Sequence, residues 1–146
     1  MNRRVVITGM GVVAPNATGI GNFKTALENA QSGIKFIQEL KDLNFACQIG
    51  GVPTIDNDAL QPYLQSYNMN NLSLVVRYAC LSAIEAWQDA GFEIPDIDSP
   101  EPMWDTGLIL GTGLAALDVI GQKNVPLVDA GKIKRLGSTM IEQIMV

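Results

Sequence analysis

Between Asn71 and Ala90 one apolar stripe runs at helical spacing. Leu72, Val75, Val76, Ala79, Cys80, Ala83, Ile84 and Trp87 recur at i, i+3, i+4 and i+7. A stripe that long commits the segment to a helix with one face packed, and the rest of the chain has to supply the packing. Asn70 or Asn71 can cap its start, and Gly91 follows its end.

The flanking segments alternate strand-like and helix-like patterns. Arg4-Val5-Val6-Ile7-Thr8 is a β-branched run that reads as a buried strand leaving through Gly9, Gly11 and Pro15. Ile20, Phe23, Ala26, Leu27 and Ala30 recur at helical spacing, with Gly33 as the stop. Ala46 to Val52 reads as a second strand, weakened by Gly50 and Gly51, and Asp56 to Gln65 as a short helix interrupted at Pro62. Thr106 to Leu110 reads as a third strand entering Gly111-Thr112-Gly113, with a weak helix from Leu114 to Ile120. Thr139-Met140-Ile141-Glu142 fits a capping box, and the apolar run Ile144-Met145-Val146 behind it implies a helix that continues past the last residue. The pattern is that of an α/β domain.

Charge and composition exclude several functions. The net charge of −5 argues against a nucleic-acid binder. The opening residues lack the long apolar core of a secretory signal, and no stretch reaches the ~18 apolar residues of a membrane helix, so no membrane partner is expected. Only two cysteines, Cys47 and Cys80, occur, without close spacing, which fits a reducing cytosol better than a disulfide framework, so a cytoplasmic protein is expected. The sequence contains no histidine, which removes imidazole catalysis and any histidine-ligated metal from these residues. Between Arg77 and Lys123 lie Glu85, Asp89 and further acids with no intervening base, read as a solvated helix face plus a loop. Lys132, Lys134 and Arg135 follow as a basic cluster, read as solubilising surface or as a contact for an acidic partner.

Two glycine patterns, Gly9 to Ala14 and Gly111 to Ala116, match G-x-G-x-x-A. A dinucleotide fingerprint needs that turn to open a helix and an acid at a strand end about 20 residues on. The first pattern runs into Pro15 and the second lacks the acid, so both read as close backbone packing or tight turns. Cys80 sits on the apolar stripe and Cys47 beside Ala46 on a probable strand, and both read as structural.

Four segments, in order, resemble the β-ketoacyl-acyl-carrier-protein synthase family. Arg4 to Val13 looks like its opening strand and turn, and Gln31-Ser32-Gly33-Ile34 like the segment after its first helix. Tyr78 to Gly91, ending in Asp89-Ala90-Gly91, looks like its long helix, and Gly107 to Gly113 like its next strand and turn. The resemblance implies a thiolase-like layered α-β-α-β-α fold, with residues 1–146 supplying part of its N-terminal half. It implies a decarboxylative Claisen condensation run by a cysteine and two histidines that none of these residues matches, an acyl carrier protein as partner, a homodimer or ketosynthase heterodimer, and no cofactor. By the same resemblance Leu114 gates the acyl pocket, and Gln143, Ile144 and the residues after them reach the dimer interface and the partner's pocket. A non-catalytic subunit of the chain-length-factor kind is the alternative, and a dinucleotide-binding domain a more distant one. Ser66 to Asn71 lacks the bases, and Leu72-Ser73-Leu74 the helix start, that the family often carries there, and Glu142 puts a charge in a segment that is usually neutral.

Overall fold

The computed structural model describes residues 3–55, 62, 64–66, 72–96, 101–113, 116–137 and 140. Its contacts gather into two compact units, Met1–Leu60 with Leu81–Ile94, and Gln61–Cys80 with Pro95–Val146.

In the first unit, Val13 bridges Thr18, and Gly19 N–H donates to Val12 O at 2.9 Å, which folds the segment around Pro15 into a tight hairpin. Helix α1 (Ile20–Glu28) leaves directly from Gly19, whose φ of 87° an L side chain rarely adopts. Ala26 is its buried anchor. Strand β1 (Ile34–Phe36) pairs antiparallel with β2 (Ile49–Gly51), Ile34 opposite Gly51 and Phe36 opposite Ile49. The short helix α2 (Gln38–Asp42) lies between them in sequence.

Helix α3 (Leu74–Asp89) is the element the apolar stripe predicted. Its stripe is half-buried rather than buried among the described residues. Asn70 and Asn71, proposed as caps, lie outside the described residues. The C-terminal end follows the expected chemistry. Gly91 at φ 78° donates to Gln88 O and Phe92 to Trp87 O, while the Trp87 and Phe92 rings meet in a tilted contact, centroids 4.9 Å apart and planes 40° to each other. This pair of bonds plus the apolar contact is a Schellman end.

The same end closes α1 without a glycine. Ala30, at φ 50°, donates to Leu27 O, and Gln31 donates to Ala26 O. The helix therefore stops at Glu28 rather than at Gly33, whose lack of a side chain serves another need: a Cβ there would overlap Pro15 and the Asn16 nitrogen. Holding alanine left-handed costs about 1–2 kcal/mol, part of which glycine's looser unfolded state offsets. Ala30→Gly is accordingly expected to stabilise the fold by about 0.5–1 kcal/mol, read as a rise in urea midpoint at unchanged slope.

In the second unit, α4 (Leu117–Val119) runs into a π-helical turn (Ile120–Asn124) and then α5 (Val125–Asp129), followed by a 3-10 turn (Ile133–Arg135). The helix expected over Leu114 to Ile120 thus starts later and runs further. Pro126 has no N–H for the Gln122 carbonyl and crowds it, so the ladder opens just ahead of the proline. Pro62, Leu64, Gln65 and Ser66 are helical, and the rest of the helix expected from Asp56 lies outside the described residues, as does the proposed capping box apart from Met140, which is helical.

Two expected strands are absent among the described residues. Arg4–Thr8 and Thr106–Leu110 pair with nothing described and stand exposed, with Val5 at 94%, Ile7 at 85% and Ile109 at 97%. Their β-branched composition states a preference for a pleated, half-covered surface, and that preference is realised only where a neighbouring strand completes the ladder.

Candidate functional site

The tightest geometry in the first unit lies where the opening glycine loop meets α3. A Cβ at Gly9 would overlap the Ala86 carbonyl, and one at Gly11 the Ser82 carbonyl, so the loop backbone rests directly on the helix backbone. Close packing is therefore what the first glycine pattern encodes, and the next helix begins only at Ile20.

Two carboxylates on α3, one turn apart, hold that loop. Glu85 accepts from Val12 N–H through Oε2 at 2.9 Å and from Ile20 N–H through Oε1 at 2.6 Å. Asp89 Oδ2 accepts from Met10 N–H at 2.9 Å. No side chain of α1's own N-cap bonds its first turn, so Glu85 performs that capping from another helix. The acidic residues read as a solvated face thus include two that fasten main chain, although Asp89 remains exposed. Their i, i+4 spacing opposite a glycine loop rich in free N–H groups was the available signal.

In the second unit, the residues expected to line an acyl pocket, Leu114, Gln143 and Ile144, lie outside the described residues. The chain is described up to Gly113 and again from Ala116. Among the described residues a Cβ at Gly111 or Gly113 would meet nothing within 4 Å, so there the second glycine pattern shows none of the close packing of the first. Ala116 emerges from the turn fully buried and left-handed at φ 53°.

Burial pushes the Cys80 thiol up from its ordinary range, which keeps it protonated at neutral pH. Cys47 is exposed and precedes β2 instead of lying on it, its Sγ 3.7 Å from Ile49 O. Lys132, Lys134 and Arg135 crowd the exposed 3-10 turn, and none forms an ion pair among the described residues. Among those residues no group of acids and cysteines could hold a metal ion, and no helix is long and apolar enough to cross a membrane.

Residues 2–145 match the family described as beta-ketoacyl synthase, N-terminal domain. The chain belongs to that family. It is 30% identical over 132 residues to a 3-oxoacyl-(acyl-carrier-protein) synthase 2 of Vibrio harveyi, covering 90% of this chain and 30% of that protein. It is 32% identical to the protein of the same name from Coxiella burnetii, with the same coverage. A Streptomyces halstedii protein assigned as polyketide beta-ketoacyl synthase 1 is 30% identical over 114 residues, 78% of this chain and 26% of that protein. The chain spans about 30% of the length of the synthase 2 relatives it matches. The ketosynthase resemblance carried by the four sequence segments is thus the family the whole chain matches.

Proposed function

We propose that residues 1–146 form the N-terminal part of one ketosynthase domain with the thiolase-like layered fold, in a cytoplasmic protein that condenses acyl and malonyl carrier-protein thioesters. The observation that carries this reading is the family match across residues 2–145. In the reaction a cysteine thiolate takes the acyl group and releases the carrier thiol. Loss of carbon dioxide from the malonyl thioester leaves an enolate, which attacks the acyl carbonyl, forms the carbon–carbon bond and expels the cysteine thiolate. The nucleophile and the two histidines come from sequence outside these residues, which contain no histidine and whose Cys80 is held as a thiol.

On this reading Leu114 gates the acyl pocket, and Gln143 and Ile144 approach the partner subunit of a homodimer or ketosynthase heterodimer. The 3-10 turn supports the carrier protein as partner, because three exposed cations in four residues offer an acidic carrier a contact the Ser66 to Asn71 segment lacks.

An assay of the protein as its cell produces it, with acyl- and malonyl-carrier protein, tests both parts. It is expected to release carbon dioxide and yield a β-ketoacyl thioester. Reversing Lys132, Lys134 and Arg135 to glutamate is expected to lower kcat/KM by about tenfold at low salt and to flatten its salt dependence, with kcat retained. A folded protein that yields no product with any acyl chain length overturns the catalytic reading, and an unchanged triple variant overturns the docking surface.

A further inference from the structure

Asn124 closes the π-helical turn and is 7% exposed, yet neither polar atom of its carboxamide has a hydrogen-bond partner among the described residues. Buried amides are almost always paired, so a carboxamide left with both ends open needs an explanation. Pro126 accounts for the opening of the helical ladder, but not for the inward carboxamide behind it: an apolar side chain would fill that position at no polar cost. The same stretch starts at Ala116, fully buried and left-handed. Two locally unfavourable features within nine residues mark a segment whose geometry is held for a contact rather than for stability alone.

The chemistry of the open group restricts what it can bind. A carboxamide presents one acceptor oxygen and a donor nitrogen. A carboxylate would satisfy only the N–H side and an ammonium only the oxygen. A neutral group that both donates and accepts satisfies both. We propose that the π turn holds the Asn124 carboxamide as a binding site for one neutral donor–acceptor group, an ordered water or a main-chain peptide group. The inference stands independently of the ketosynthase reading.

Asn124→Leu keeps the branched heavy-atom shape and removes both polar atoms. If the site is occupied in solution, the variant melts at least about 3 °C lower than the parent protein. An equal or higher melting temperature overturns the proposal, because the carboxamide was then a net burden. Should the variant fail to fold, the parent protein labelled with nitrogen-15 decides. An occupied site gives Asn124 side-chain N–H signals that exchange at least about tenfold slower than those of exposed asparagines. Cross-relaxation of those protons with water then identifies a bound water, and with a backbone amide proton a peptide group. Exchange as fast as an exposed asparagine's overturns the site.

Discussion

Gly11→Ala is expected to destabilise the fold by about 3 kcal/mol or more. The new Cβ would overlap the Ser82 carbonyl oxygen and lie 2.8 Å from the Ala86 nitrogen. Both obstacles are helix backbone, so no rotamer change relieves them. Either the loop lifts off α3 or the helix bends, and lifting the loop breaks the bonds that Glu85 and Asp89 make to it. Denaturant unfolding monitored by tryptophan fluorescence reads the loss. A control at Gly21, where an added Cβ meets nothing within 4 Å among the described residues and the residue sits inside α1, should instead be neutral to mildly stabilising. Equal stability of Gly11→Ala and the parent protein would show that the loop does not rest on α3.

Glu85→Ala is the second large effect. The carboxylate takes two main-chain donors, Val12 N–H and Ile20 N–H, and hydrogen bonds to a charged group contribute about 1.5–3 kcal/mol each where they are shielded. Glu85 is half-buried, so water partly replaces it, and a net loss of about 2–3 kcal/mol is expected. Glu85→Gln should fall between the two, since its amide keeps one acceptor and turns a donor toward the other N–H. Asp89→Ala, at an exposed position with one bond, should cost under about 1 kcal/mol. Amide hydrogen exchange locates the effect: Val12 and Ile20 should lose protection selectively in Glu85→Ala, ahead of the body of α3.

Sequence reasoning reached α3 because sixteen helical residues repeat one period and a glycine ends them. It reached the packing role of Gly9 and Gly11 because Pro15 forbids the helix that a phosphate-binding turn would open. It missed the end of α1, since the left-handed position there is Ala30 and no glycine announces it. Strand β1 escaped notice because three residues, one of them Lys35, carry too little alternation to register a period. Arg4–Thr8 and Thr106–Leu110 show the converse limit: a strand preference is local, while a ladder is made by a neighbour. Glu85 and Asn124 were illegible for one shared reason. A polar residue on a helix reads as surface until the element facing it is known. The proposal of Leu114, Gln143 and Ile144 for the acyl pocket rests on the family resemblance alone, because nothing in their own spacing marks a pocket.

The central claim is that this chain serves a condensing enzyme whose nucleophile is neither of its own two cysteines. Incubating the protein, as its cell produces it, with acyl-carrier protein and mapping the acyl adduct by peptide mass spectrometry tests this most directly. The expected result is one acyl group on a cysteine outside residues 1–146. An adduct on Cys47 or Cys80 would contradict the claim outright, and a folded protein that takes no acyl group at all would replace the enzyme with a non-catalytic partner subunit.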